Sequence, residues 1–135
     1  MQIPKDIYDA MIAHAQEGFP LEVCGYLGGV KENGEICVRK HYRLTNTDKS
    51  NEHFTMDPKE QFETFKDAKA HNLSLLVCYH SHPESPARPS DEDIRLAYDP
   101  NINYTILSLQ ERNAPVMKAF WIQNGHVSQE EIKII

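Results

Sequence analysis

Two histidines stand two residues apart in the segment CYHSHPESPARPSDED, His80 and His82, and Asp93 follows eleven residues after the second. On an extended strand, residues i and i+2 point to the same face, so the two imidazoles converge. Two neutral imidazoles and a carboxylate suit Zn2+, and three protein ligands leave a fourth position open, which separates a catalytic zinc site from a structural one. Water at an open position loses its proton near neutral pH and becomes a nucleophile. Each part also has a plainer reading. A His-x-His pair among seven histidines is, taken alone, more often a surface or hydrogen-bonded pair than a ligand pair. Ser90-Asp-Glu-Asp93 ahead of a helix reads as a capping box, with Asp93 bonding back to the Ser90 amide. The two readings draw on one carboxylate, and Ser90 is able to cap the helix while presenting its Oγ to the site. Glu22, in FPLEVCGYLGG, could take a proton from water and return it to a leaving amine. Spacing alone does not bring it to the histidines, and an exposed glutamate at a strand start is the plainer account.

These residues need elements to position them. Pro4, the apolar face Ile7, Met11, Ile12 and Ala15, and the stop at Gly18 predict a helix over Pro4–Glu17. A strand over Glu22–Val30 follows, where Gly25, Gly28 and Gly29 allow backbone or substrate to come close. Asn33-Gly34 signals a hairpin turn into a return strand, Glu35–Leu44. A polar loop leads to a short strand near His53–Met56. Asp57-Pro58 is a cap and first-turn proline for a second helix that ends near His71-Asn72, with Phe62, Phe65 and Ala68 expected on its inner face. Leu73–His80 is a continuous apolar run of the fully buried strand type. Pro83, Pro86 and Pro89 keep the next segment irregular, and a third helix is expected from Ser90 to about Tyr98. Strands over Asn103–Leu109, Val116–Gln123 and His126–Ile134 complete the chain, the last two joined by a tight turn at Asn124-Gly125. Helices alternating with strands, then a meander, imply a mixed sheet with helices packed on it, α/β (α+β) in class.

The 135 residues fit one compact domain, 1–135, and 40% hydrophobic content supplies a core. A net charge of −6 argues against general nucleic-acid binding, which needs dense Lys and Arg. The basic cluster Arg39, Lys40, His41 and Arg43 reads as a solvated strand edge or as a docking patch for an acidic partner. The start MQIPKDIYDAM is charged where a signal peptide is apolar, and no apolar run is long enough to cross a bilayer, so a cytoplasmic location is expected. Cys24, Cys37 and Cys78 are odd in number and widely spaced, and read as buried thiols.

At this point the residues resemble a known family. HSHPESPARPSDED is similar to the JAMM motif of MPN+ metallopeptidases: His-x-His, seven residues, Ser, two residues, Asp. PLEVCGYLGG resembles the surroundings of the upstream glutamate in that family, and TMDPKEQFE the stretch before its second helix. The resemblance implies one zinc per chain on His80, His82 and Asp93, with Glu22 as general acid/base. Ser90 would support the water or the oxyanion. It implies a JAMM/MPN domain with a curved mixed sheet flanked by helices, similar to cytidine deaminases. The implied activity is hydrolysis of the peptide or isopeptide bond after the C-terminal glycines of a ubiquitin-like protein. The compact size resembles peptidases acting on ubiquitin-like sulfur carriers, so a carrier with a Gly-Gly tail is the expected partner. The strand near His53–Met56 and the loop Glu84–Arg88 are expected to flank and grip that tail. Members of the family often form homodimers, and the oligomeric state is not legible here.

Three other readings stay open. A non-catalytic zinc-containing MPN interaction module would bind metal without needing Glu22. A zinc hydrolase or deaminase acting on a small molecule is a second, although the His-x-Glu and Pro-Cys-x-x-Cys of nucleobase deaminases are absent. A DNA-repair-associated relative with a similar pattern is the third; that type usually carries an extra helical DNA-binding region, which is not expected in this acidic chain.

Overall fold

The computed structural model describes residues 1–135. The strands are β1 (Gln2–Ile3), β2 (Cys24–Glu32), β3 (Glu35–Leu44), β4 (Ser74–His82), β5 (Asn103–Ser108), β6 (Val116–Gln123), β7 (His126–Glu130) and β8 (Lys133–Ile134). The helices are α1 (Lys5–Gly18), α2 (Pro58–Ala70) and α3 (Asp91–Arg95). All eight strands form one mixed sheet in the order β7-β6-β5-β4-β2-β3-β1-β8. The β4–β5, β1–β3 and β1–β8 pairs are parallel and the others antiparallel. No helix is long and apolar enough to cross a membrane.

Local rules account for several boundaries. Asn33 and Gly34 both have positive φ, as do Asn124 and Gly125, so each pair forms a two-residue hairpin turn. The Asp57 side chain accepts from Lys59 N at 2.9 Å, and Pro58 opens α2. The expected last strand is split in two, and its far end, β8, pairs with the N-terminal β1. The expected strand near His53–Met56 is a loop joined by one isolated bridge, Asn46 to Met56.

Alternation along β4 separates two layers. Val77 and Tyr79 face α1, where Met11, Ala15, Leu27 and Leu107 complete the main core. Cys78, His80 and His82 lie on the opposite face, where Cys24, Leu44 and Met56 form a smaller apolar cluster with Tyr26 and Tyr104. The register shift between Gly28 and Gly29 marks a β-bulge in β2.

α2 covers part of that second layer in a different rotation from the one its phenylalanines suggest. Thr64 and Ala68 are buried, while Phe62 is 62% and Phe65 55% exposed. The sheet below presents polar ends: Tyr26 Oη meets Gln61 Nε2 at 3.1 Å, and Tyr42 Oη and Lys40 Nζ reach Asp67 at 2.7 and 2.6 Å. Small and polar residues let the helix sit close on such a surface, and the aromatic rings turn outward. The other members of the basic cluster are also paired within the chain, Arg39 with Glu32 and Arg43 with Glu17.

Gly25 packs where strand β3 and the Tyr79 ring leave no space. A Cβ there would collide with the Tyr42 carbonyl oxygen and the ring edge of Tyr79. We expect Gly25→Ala to destabilise the fold by about 3 kcal/mol, a fall of roughly 10 °C in Tm by differential scanning calorimetry. An unchanged Tm would mean that the strands part more easily than this packing implies.

The fully buried Tyr79 hydroxyl lies 2.6 Å from both His14 Nδ1 and His41 Nε2, tying α1 to the sheet. One hydroxyl proton serves both contacts, so one ring offers a bare nitrogen and the other an N–H. Burial, reinforced by the charge of Arg43, pushes both histidines down to about 4. Below an unfolded value of about 6.5 the unfolded chain then binds more protons than the folded one, so stability rises with pH across this window. Stability should be complete above about pH 6.5 and fall toward pH 4 by on the order of 1–2 kcal/mol per histidine, discounted for their partial exposure. Urea unfolding of the metal-free protein at pH 7 and 4.5 measures this, and His41→Gln should flatten the difference. Equal slopes in wild type and variant would rule out the network as its source.

Candidate metal centre

His80 and His82 close the C-terminal end of β4, and both are buried. The His80 ring is stacked on Phe54, with centroids 4.7 Å apart. His82 Nδ1 lies 2.9 Å from the Pro86 carbonyl oxygen, so Nδ1 carries an N–H and Nε2 is turned inward toward Asp93. The proline-rich loop thus orients one imidazole, and its Ser85 carbonyl accepts from Ser108 Oγ.

α3 brings in the carboxylate. Ser90 caps the helix: its Oγ accepts from Asp93 N at 3.0 Å, and Ser90 N donates to Asp93 Oδ2 at 2.9 Å. The capping box therefore forms, and the same Oδ2 lies 3.2 Å from His80 Nε2 and 3.1 Å from His82 Nε2. The cap aims one carboxylate oxygen at the histidines, so the two roles are compatible.

The three atoms form a near-equilateral triangle, since the two Nε2 atoms are themselves 3.1 Å apart. Tetrahedral coordination with bonds near 2.0 Å sets ligand atoms about 3.3 Å apart, so the donor set fits a small divalent cation. His80, His82 and Asp93 are the residues that could hold one. Hydrogen bonds from the two histidines outweigh burial and keep Asp93 far below the usual carboxylate range. Burial works against charge on His82, but its bonds to Asp93 and the Pro86 carbonyl carry it above its ordinary value.

Glu22 precedes β2 and is 6% exposed. It borders the same cleft of about 350 Å3 as His80 and Asp93. Burial pushes its carboxyl up to about 8; the positive field of His82 opposes that shift and the negative field of Asp93 adds to it. A carboxyl in this range exchanges protons readily at neutral pH. Tyr26, Met56, Ile102 and Tyr104 make the rest of the cleft largely apolar. Cys24 and Cys78 remain free thiols, pushed up to about 12 chiefly by burial, which removes them as thiolate ligands.

Two contributors carry no sequence signal of their own. His53 Nδ1 lies 2.6 Å from Glu92 Oε1 and joins the loop after β3 to α3. Asn46 Nδ2 donates to the Glu22 carbonyl oxygen at 3.0 Å. Both contacts pair residues far apart in the chain; in sequence, Asn46 is one more polar residue of a turn.

Comparison with known proteins gives four likenesses of use. The family model described as "Prokaryotic homologs of the JAB domain" matches residues 4–123. The CysO-cysteine peptidase of Mycobacterium tuberculosis is 29% identical over 133 residues, covering 98% of this chain and 90% of that protein. A probable TtuB-protein conjugate cleaving protease of Thermus thermophilus is 32% identical over 98 residues, 72% of this chain and 63% of that protein. Among solved structures, a Desulfitobacterium hafniense protein superposes with a TM-score of 0.92 at 44% identity, covering 99% of this chain and 92% of that one.

Proposed function

Since the chain belongs to the prokaryotic JAB-domain family, we propose that it is a zinc peptidase that cuts after the C-terminal glycines of a ubiquitin-like protein, foremost a sulfur carrier. The observation that carries this reading is the convergence of His80 Nε2, His82 Nε2 and Asp93 Oδ2 on a cleft that a buried glutamate also lines. The substrate class is supported by the relative named CysO-cysteine peptidase, which this chain matches along 98% of its length.

His80, His82 and Asp93 would hold one zinc, which would polarise the scissile carbonyl and lower the pKa of water in its open position. Glu22 takes a proton from the attacking water on its carboxylate and delivers it to the leaving amine nitrogen. Ser90 Oγ is occupied as an acceptor by Asp93 N, so its own O–H is free to donate to the oxygen of the tetrahedral intermediate. A tail of glycines brings no side chain and suits a narrow approach past Glu52 and His53 at the cleft border.

The deciding experiment incubates zinc-loaded protein with a ubiquitin-like sulfur carrier extended past its terminal Gly-Gly and reads the products by intact mass. The expected result is one cut after the second glycine, abolished by chelation. Carriers left intact by a zinc-loaded protein would refute the substrate class.

A further inference from the structure

We propose that Asn46 is a positioning residue for Glu22, so that turnover depends on an amide outside the metal centre. This inference rests on the role given to Glu22 above. Glu22 lies before β2 begins and outside the sheet ladder, so other groups must fix its backbone. Its N–H donates to the Ser50 carbonyl oxygen at 2.8 Å, and its carbonyl oxygen accepts from Asn46 Nδ2 at 3.0 Å. Both partners belong to the loop between β3 and α2.

Asn46 is also the centre of that loop. Its second Nδ2 hydrogen goes to the His53 carbonyl oxygen at 2.9 Å, while Oδ1 accepts from Asp48 N at 3.0 Å and Thr55 N at 3.2 Å. Two donors and two acceptor sites are the whole capacity of an amide, and here all four are used. The orientation is unambiguous, because both partners of the nitrogen are carbonyl oxygens and both partners of the oxygen are N–H groups.

The same loop also touches one histidine and the helix that carries Asp93. Phe54 stacks on His80, and His53 is paired with Glu92, next to Asp93 on α3. A single half-buried side chain thus sets the base against the segment that covers one ligand and steadies the helix bearing another. A misplacement of about 1 Å at a reacting group can cost 100-fold in rate. Loss of the Asn46–Glu22 bond should therefore appear in kcat.

The test uses full-length, zinc-loaded protein with Asn46→Ser and Asn46→Asp. Serine can still accept from the amide two residues on and keep the turn. Aspartate keeps both Oδ1 contacts but sets an oxygen against the two carbonyls. Zinc content and folding are measured first, then kcat and KM on the Gly-Gly-extended carrier. We expect kcat to fall at least about 10-fold in both, with KM within about 3-fold and zinc retained. In a Glu22→Gln background Asn46→Ser should add no further loss, because two residues acting as a unit are not additive. Hydrogen exchange at the Glu22 amide should be at least about 10-fold faster in Asn46→Ser, with Tyr26 and Val77 unchanged. An unaltered kcat in the folded variant, or a loss that persists in full without Glu22, would overturn the proposal. If wild type cleaves no carrier, the function reading fails, and exchange at Glu22 still decides whether Asn46 holds it: unchanged protection rejects the proposal.

Discussion

Glu22→Gln should lower kcat by about 1,000-fold and at the same time make the zinc-free protein more stable at pH 7.5. The two effects have one cause. Burial holds the Glu22 carboxyl at about 8, against an ordinary value of 4.5. Between those values the folded protein binds more protons than the unfolded chain, so stability falls as pH rises through the window. Near pH 7.5 the chain therefore carries a cost on the order of 3 kcal/mol for keeping a titratable carboxyl at a site that is 6% exposed. Glutamine has the same shape and no proton to lose, and it removes most of that cost. It cannot carry a proton from water to the leaving amine, so turnover falls to the residual level. The backbone contacts to Ser50 and Asn46 do not depend on the side chain and should survive. Carrier cleavage by intact mass, with urea unfolding of the zinc-free proteins at pH 5 and 7.5, tests both halves. The stability gain should shrink to under about 1 kcal/mol at pH 5, where the folded carboxyl is protonated and the unfolded one lies within half a unit of its ordinary value of 4.5. A variant that keeps a tenth of its turnover would remove Glu22 from the proton-transfer step. One that is less stable at pH 7.5 would contradict the burial argument.

Features governed by neighbours in sequence were legible, and those set by distant contacts were not. Asn33-Gly34 and Asn124-Gly125 require left-handed backbone, and Asp57-Pro58 couples a cap to a fixed φ; each rule needs only adjacent residues, and each appears in the fold. The strands Glu35–Leu44 and Val116–Gln123 have the expected ends because turns bound them closely. The rotation of α2 was hidden, because Phe62 and Phe65 share a face as readily as Thr64 and Ala68 do. The choice is made by Tyr26, Lys40 and Tyr42, polar residues of other strands. The two-residue β1 owes its existence to β3 and to β8 near the other end of the chain. At the centre, the convergence of His80 and His82 follows from the period of a strand, and Asp93 is aimed by a capping box contained in four residues. Glu22 could be named as a candidate base from its residue type, but nothing in its spacing brings it to the histidines. Its depth depends on a loop whose Asn46 and Ser50 reach back more than twenty residues, and no periodicity encodes that contact.

Asp93→Asn separates the cap from the charge, and the wild-type protein should respond to zinc in a way this variant cannot. In the native chain Oδ2 accepts from Ser90 N at 2.9 Å while facing both histidines within 3.2 Å. Asparagine can still accept from Ser90 N, and Asp93 N still donates to Ser90 Oγ, so α3 should keep its start. What disappears is the carboxylate that completes the donor set. Altering groups that only orient a ligand already costs 10–100-fold in affinity, so replacing the ligand itself should cost more than about 100-fold. Binding stabilises a fold in proportion to the logarithm of ligand concentration over Kd. At 1,000 times Kd that is about 4 kcal/mol, or more than about 10 °C in Tm for a chain of this size. Wild type heated with zinc should show that rise and lose it on chelation; Asp93→Asn should lose most of the rise, keeping no more than about 1.4 kcal/mol of it, and cleave no carrier. Ser90→Ala supplies the complementary case, weakening the cap by about 1 kcal/mol and zinc affinity by about 10–100-fold while leaving a smaller thermal response in place. If Asp93→Asn kept the full zinc-dependent rise, the cation would lie elsewhere, and the triangle of His80, His82 and Asp93 would be a hydrogen-bonded cluster at the end of β4.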